Sequence, residues 1–328
     1  MRIGVLGAGA WGSALAIAFS ERHEITVWDR EAKTRAQLRT AKHSPYLPEA
    51  QWPASIGVRD SIAECLADAD VLLVVTPTEG LRDMAEALRI SGRKLPLIWA
   101  CKGFEASSSL LPHQVVDEVM GGVTSCAALS GPSFANEVAA GKPTALTLAA
   151  RDSSFARSLA LQLHQPRLRV YFSDDLVGVE VGGAVKNVMA IATGIADGLS
   201  LGLNARAALM TRGLAEIMRL GLALGGKAET FMGLTGLGDL VLTCTGDLSR
   251  NRRVGLGLGQ GEKLETILAQ LGHVAEGVNT SREVERRAKS LNIDMPITSA
   301  VCDVLFRNVP ARTAVEQLLS RDPKSEHA

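Results

Sequence analysis

The sequence contains few aromatic residues, few cysteines and no excess of charge of either sign. Aromatic residues make up 4% of the 328 residues, so alanine, leucine, valine and glycine must build most of the core. Basic and acidic residues both number 35, and this balance gives no reason to expect a nucleic acid or an anionic membrane as a partner. The length predicts two domains.

The five cysteines are odd in number and scattered, and they form no C-x-x-C pair. This pattern argues against a disulfide framework or a zinc site and favours a reducing, cytoplasmic location. The six histidines show no metal-ligand spacing, and no G-x-S-x-G motif is present. We therefore expect no metal ion and no serine nucleophile.

The start of the chain carries a glycine fingerprint. A short apolar strand beginning at Arg2 runs into G-x-G-x-x-G, in which Gly7 allows a tight turn and Gly9 lets a pyrophosphate approach the backbone. Gly12 lets the following helix pack closely on the strand. That helix, beginning near Trp11, presents free N–H groups and the positive end of its dipole to the phosphates. The segment predicts a dinucleotide site.

The two residues that follow the second predicted strand do not decide between NAD and NADP. Ile25–Trp28 is followed by Asp29, about 20 residues after the glycines, where an acid binds the ribose hydroxyls of NAD. Arg30 could instead pair with the 2′-phosphate of NADP, or be a solvated loop charge. Both NAD(H) and NADP(H) stay open.

The first half of the chain alternates strand and helix patterns, which predicts a doubly wound parallel sheet. After Phe172 the pattern is helical, so we place a boundary between a Rossmann-type dinucleotide-binding domain, 1–173, and an all-helical substrate and catalytic domain, 174–328. The predicted later strands are 71–75, 97–100, 127–129, 144–149 and 168–172. The predicted helices are 81–89, 109–120, 154–163, 174–198, 205–224, 263–271, 275–290 and 313–319.

Two apolar stretches imitate targeting or membrane segments. The stretch from Arg2 to Phe19 resembles a signal peptide, but its glycines belong to the fingerprint and its removal would delete the first strand. Val181–Ile195 is shorter than a membrane span and contains Lys186 and Asn187, so it is expected to be a buried helix.

Lys186 lies inside that apolar helix, where an ammonium group is costly unless it has a partner. Its helical neighbours Gly182 and Gly183 leave room for a ligand or another helix. A buried lysine beside a carbonyl can protonate the oxygen as hydride arrives, and the alternative is a lysine reaching solvent from the helix edge. Asp239, in a glycine-rich turn, could balance Lys186, hold a substrate hydroxyl or cap a helix.

Three other residues follow parallel strands or neighbour them. Lys102, Gly131 and Ser133 come after predicted strands, and ligands of doubly wound sheets bind beyond the carboxyl ends of strands. We expect them to face the cleft between the domains.

A basic cluster marks a predicted helix start. Ser249, Arg250, Asn251, Arg252 and Arg253 follow one another, and arginines there oppose the helix dipole. An anion would resolve this conflict by binding the serine hydroxyl, the helix N–H groups and the guanidinium groups. A phosphate fits better than a carboxylate because many donors converge, and the alternative is a solvated basic surface.

These segments together resemble the bacterial-type glycerol-3-phosphate dehydrogenase family, in the family's order and across both halves of the chain. The resemblance rests on GAGAWG, WDR, ACKGFE, SGPSFANEVAAG, GVEVGGAVKNVMAI, NARAALMTRGL, GLTGLGDLVLTCTGDLSRNRR and AEGVNT. It implies reversible reduction of dihydroxyacetone phosphate to sn-glycerol 3-phosphate with NAD(P)H, for phospholipid synthesis, in a homodimer that is not membrane-embedded.

The resemblance also implies roles by motif position. Lys186 is then the proton donor and acceptor. The implied substrate-binding positions are Lys102, Gly131, Ser133, Lys186, Asp239, Ser249, Arg250 and Asn251. The implied cofactor-binding positions, beside Gly7, Gly9 and Gly12, are Trp11, Arg30, Lys102, Ala135, Arg250, Val274 and Glu276.

Two residues depart from the family pattern: Ala10 stands where serine is usual and Cys101 where threonine is usual. Two other functions remain as alternatives. A 3-hydroxyacid dehydrogenase of the phosphogluconate-dehydrogenase-like group shares the expected fold and a catalytic lysine, but needs no arginine cluster. A redox-sensing module that only binds dinucleotide would need neither Lys186, Asp239 nor an anion site.

Overall fold

A computed structural model describes residues 1–41, 43–106, 108–122, 125–271, 275–322 and 325. In these residues the first half forms one eight-stranded sheet with the order β3-β2-β1-β4-β5-β6-β7-β8. The strands are β1 Arg2–Leu6, β2 Glu24–Trp28, β3 Gly57–Val58, β4 Val71–Val74, β5 Leu97–Trp99, β6 Cys126–Ser130, β7 Thr144–Ala149 and β8 Leu168–Ser173. The helices between them are α1 Ala10–Phe19, α2 Ala32–Thr40, α3 Ile62–Ala67, α4 Leu81–Ile90, α5 Pro112–Met120, α6 Ala135–Ala139 and α7 Ser153–Leu163.

The central strands are apolar on both faces because helices cover both sides of the sheet. Val71 and Leu73 of β4 belong to the core on one face, and Leu72 and Val74 to the core on the other. Such continuous apolar runs are typical of buried parallel strands. The order of strands reverses between β1 and β4, which places the ligand crevice of this fold beyond their carboxyl ends.

Two neighbouring strands, β7 and β8, run against the predicted direction. The sequence predicted a parallel sheet, but β7 pairs with β6 antiparallel, while the other neighbouring strands are parallel. The connection explains the difference. Helix α6 has five residues and rises about 7.5 Å, too little to carry the chain back along the roughly 17 Å of β6. The chain therefore returns in the opposite direction.

Helices follow the sheet. Over the described residues they are α8 Leu176–Gly198, α9 Gly202–Ala223, α10 Ala228–Phe231, α11 Asp239–Thr245, α12 Arg250–Gly259, α13 Leu264–Leu271, α14 Glu276–Ser290, α15 Pro296–Phe306 and α16 Ala311–Leu319. The predicted combination of a Rossmann-type α/β part and an all-helical part is confirmed. Helix α15 was not predicted, and α5 begins at Pro112 instead of Ser109, whose φ of +56° is left-handed.

Helix α8 is the centre of the helical part. Of the helices that the structure describes, it is the one whose length and composition would let it cross a membrane. However, 94% of its most apolar 18-residue stretch is buried inside the protein. Its backbone meets that of α12 directly: a Cβ on Gly255 would lie 2.0 Å from the carbonyl oxygen of Ile191, and one on Gly194 would lie 2.1 Å from that of Arg252. This glycine contact fixes the start of α12 relative to α8.

Candidate active site

The glycine turn joins β1 to α1. Gly7 has a φ of +109°, and a Cβ on Gly12 would lie 1.9 Å from the carbonyl oxygen of Gly7, so the fold itself requires both glycines. A Cβ on Gly9 would meet no described protein atom within 4 Å. Internal packing therefore does not explain Gly9, whereas close approach of a ligand does. Helix α1 has no side-chain cap and no acid in its first turn, which leaves its N–H groups suited to an anion.

The end of β2 supports this turn. The Asp29 carboxylate accepts hydrogen bonds from the backbone N–H of Ala8 at 2.6 Å and of Glu31 at 2.9 Å. The sequence predicted a ribose ligand here, and the structure adds a second task, that of holding the glycine turn. Arg30 is exposed and forms an ion pair with Asp83 at 3.2 Å, away from the cluster of lysines described below.

Trp11 and Ala135 lie close together. Both belong to the partly buried rim of a small apolar cluster that contains Leu47 and Val138, where α6 packs on α1. Two predicted cofactor residues that are 124 positions apart thus border the same turn.

A buried carboxylate binds two lysines from the two halves of the chain. Asp239 is 1% exposed and accepts from Lys186 Nζ at 2.5 Å and from Lys102 Nζ at 2.7 Å. Lys102 follows β5 and also donates to the carbonyl oxygen of Gly131 at 3.2 Å, an oxygen that accepts from Ser133 Oγ at 3.1 Å. The structure therefore brings together five of the predicted substrate residues.

Small residues make this contact possible. A Cβ on Gly183 would lie 3.5 Å from Lys102 Cγ, and one on Gly182 would lie 2.7 Å from the carbonyl oxygen of Thr235. Helix α8 can therefore approach both the sheet and the π-helical turn at Leu234–Gly238, which leads directly into Asp239.

Sequence reasoning missed Thr243. Its hydroxyl accepts from Lys186 Nζ at 2.9 Å and donates to the carbonyl oxygen of Asp239 at 2.6 Å. The signal was present, because residues four apart in a helix share a face and Thr243 follows Asp239 at that spacing.

Burial and charge oppose each other at this cluster. Burial lowers the pKa of Lys186 to about 8, although the neighbouring Asp239 carboxylate raises it. Burial alone would raise the pKa of Asp239, but Lys102 and Lys186 outweigh it and hold that pKa below its usual value. Lys186 is thus an ammonium group that can lose its proton near neutral pH. No group of three metal-ligating side chains occurs among the residues that the structure describes.

The basic cluster lies at the start of α12, as predicted, but its members differ. Ser249 caps the helix by accepting from Arg252 N at 3.2 Å, and Asn251 accepts through Oδ1 from Gly277 N at 3.0 Å. Arg250 is exposed, and its side chain bonds to none of the described residues. It is therefore available to an anion.

Arg252, a member of the basic cluster, has carboxylate partners within the protein. Its guanidinium group is engaged by Asp197 of α8 at 2.9 Å and by Asp247 at 2.9 Å. Asp197 also binds Arg206 of α9, so Arg252 belongs to an ion network that ties three helices together.

Glu276, at the start of α14, completes the charged surroundings. Burial raises the pKa of its carboxyl, and the positive charges of Arg250, Lys102 and Lys186 act against this rise. The start of α14 therefore lies near both the basic helix start and the two lysines. Val274, the remaining predicted cofactor residue, lies outside the described residues.

A glycine turn at the switch point of the sheet, together with a buried lysine held by a carboxylate, is typical of a dinucleotide-dependent dehydrogenase with a helical second half. Comparisons with known proteins agree. Sequence models of the NAD-dependent glycerol-3-phosphate dehydrogenase N-terminus and C-terminus match residues 2–156 and 175–316. The chain belongs to the NAD-dependent glycerol-3-phosphate dehydrogenase family, and it is an NAD(P)-dependent oxidoreductase.

Individual relatives cover the whole chain. A glycerol-3-phosphate dehydrogenase [NAD(P)+] of Dechloromonas aromatica is 60% identical, with 100% of each chain covered. The one of Nitrosospira multiformis is 56% identical over 99% of each. The crystal structure of glycerol-3-phosphate dehydrogenase from Coxiella burnetii superposes with a TM-score of 0.94 at 40% identity, covering 98% of this chain and 99% of that one.

We predict that Arg252→Ala destabilises the protein by about 1–3 kcal/mol, because it leaves the Asp197 carboxylate, whose side chain is 8% exposed, with fewer partners. Exposed Arg253 bonds through its side chain to none of the described residues, so Arg253→Ala should change stability by less than about 0.5 kcal/mol. Urea unfolding measures both. If Arg252→Ala weakened substrate binding at unchanged stability, Arg252 would belong to the anion site after all.

Proposed function

We propose that this chain catalyses the reversible reduction of dihydroxyacetone phosphate to sn-glycerol 3-phosphate with NADPH or NADH, a product that feeds phospholipid synthesis. The observation that carries the proposal is the Lys102–Asp239–Lys186 cluster, in which a buried carboxylate joins a lysine that follows strand β5 to a lysine of helix α8. The family supports the substrate, and the available guanidinium of Arg250 supports its phosphate.

The residues at the glycine turn fit a dinucleotide. We propose that Gly7, Gly9, Trp11 and Gly12 hold its pyrophosphate, with Ala135 beside Trp11. Arg30 would bind at the adenosine end, and Lys102, Arg250, Glu276 and Val274 at the nicotinamide end. When bound, the nicotinamide supplies or accepts the hydride.

Lys186 is the proposed proton donor in the reduction. Its ammonium donates the proton to the carbonyl oxygen of the substrate, while Asp239 and Thr243 fix the position of Nζ. In the oxidation the neutral amine accepts the hydroxyl proton. Lys102, Gly131, Ser133 and Asp239 border the reacting end.

The phosphate of the substrate binds at the start of α12. Arg250 supplies a guanidinium fork, Ser249 a hydroxyl and Asn251 an amide N–H, beside the helix N–H groups. A small 3-hydroxy acid has no use for this site, which favours a phosphorylated substrate over that alternative.

We further propose that residues 1–173 and 174–328 act as the dinucleotide-binding and catalytic domains, and that the protein is a cytoplasmic homodimer not embedded in a membrane. The buried position of α8 supports the last point.

Lys186→Met should lower kcat for dihydroxyacetone phosphate by a factor on the order of 10²–10⁴, because the positioned acid is lost. NADPH binding should stay near wild type, since the glycine turn is untouched. Lys142→Met, at an exposed lysine, is the matched control. Near wild-type kcat in Lys186→Met would refute the assignment.

Arg250→Ala should lower kcat/KM strongly for dihydroxyacetone phosphate and hardly at all for dihydroxyacetone, a much poorer substrate that lacks the phosphate. Both rates are measured at saturating NADPH, because Arg250 also borders the cofactor, with Arg253→Ala as control. Equal losses for both substrates would mean that the phosphate binds elsewhere.

The lowered pKa of Lys186 predicts opposite pH profiles for the two directions. Reduction needs the ammonium, so kcat/KM should fall as pH rises through about 8, whereas oxidation needs the amine and should rise through the same pH. Initial rates in both directions across this range test the prediction. Profiles of the same sign in both directions would exclude Lys186 as the titrating group.

A further inference from the structure

A second buried carboxylate on α8 lies outside the cluster described above. Glu180 is 6% exposed and His113, at the start of α5, is 7% exposed. The backbone N–H of His113 donates to Glu180 Oε1 at 2.9 Å, and its Nδ1 bonds to Oε2. This pair joins the central helix of the second half to a helix that covers the sheet.

The pair is costly, so its retention needs a reason. Burial raises the pKa of the Glu180 carboxyl, and the surrounding groups are mainly apolar or neutral: Trp99, Cys101 and Cys126, with Arg151 as the nearby cation. Well-packed apolar residues often replace a buried hydrogen-bonded pair without loss of stability. Apolar residues would not supply a directional contact, which fixes the position of α8 along its axis relative to α5.

Register matters here because Glu180 precedes Lys186 by six residues, about 9 Å along the same helix. Between them, Gly183 lies against Ser130 and the stem of Lys102. One side of α8 therefore makes three contacts in turn. Glu180 is hydrogen-bonded to α5, Gly183 packs against β6, and Lys186 pairs with Asp239. A shift or rotation of α8 would move Lys186 relative to Lys102.

We propose that Glu180 and His113 are positioning residues that fix the depth of Lys186 in the active site. This inference rests on the proposed proton transfer by Lys186. Neither residue touches the reacting atoms. Their hydrogen bonds set the axial position of α8, and a displacement of about 1 Å at a catalytic group can lower a rate by about 10²-fold.

The test compares Glu180→Gln and His113→Leu with His113→Asn, whose amide can occupy the position of Nδ1. We expect kcat to fall about 10- to 100-fold in the first two variants and to recover largely in His113→Asn. The Kd for NADPH should stay near wild type, and the inflection of the pH profile near 8 should move, since it reports the surroundings of Lys186.

Glu216→Gln is the matched control. Glu216 is equally buried and accepts from the backbone N–H groups of Ile297 and Thr298, away from Lys186. It should lose stability in urea without a change in kcat per folded molecule or in the pH profile. If Glu180→Gln fails to fold, the difference in kcat between His113→Leu and His113→Asn tests the positioning role instead.

Failure of the positioning role and failure of the proposed function give different results. If Lys186→Met is inactive while the Glu180 and His113 variants behave like Glu216→Gln, the positioning inference is wrong and the proposed function stands. If Lys186→Met itself stays active, the proposed function fails first.

Discussion

The structure depends on one carboxylate that binds two cations from different halves of the chain. Asp239 holds Lys102, which follows a strand of the sheet, and Lys186, which lies in the central helix. Asp239 contacts two ammonium groups at once, and the carboxyl of Glu276 lies near the same lysines. The cluster that joins the two halves therefore also concentrates ionisable groups where the proposed substrate would bind.

The rest of the second half keeps that carboxylate in place. Helix α8 approaches its neighbours through glycines, and at Gly182, Gly194 and Gly198 the contacts are with backbone atoms, which adjust less than side chains do. The ion network of Arg252, Asp197 and Arg206 then ties α12 and α9 to the end of the same helix. Helix α8 therefore carries Lys186, the proposed proton donor, at its middle and orients the proposed anion site near its end.

The features of the fold that depend on a few neighbouring residues could be predicted from the sequence. The glycine turn, the apolar strands and the burial of Lys186 follow from patterns a few residues long, and they agree with the structure. The direction of β7 depended on the length of its connection. Helix α15 does carry an apolar repeat, Ile297, Val301 and Leu305, which sequence reasoning missed. The partners of Arg252 and Asp239 are 55 and 137 positions away at the farthest, so no local pattern could show them.

The distant contacts also decide how much of the site is rigid before a ligand arrives. Lys186 and Asp239 are paired and buried already, so hydride transfer would require little rearrangement around the reacting carbon. Arg250 is different, because its side chain is exposed, and ordering it around a bound anion would cost side-chain entropy. In the proposed reaction, binding of the phosphate would have to supply this free energy. A substrate without the phosphate would thus meet a prepared reaction centre but lack the interaction that holds it there.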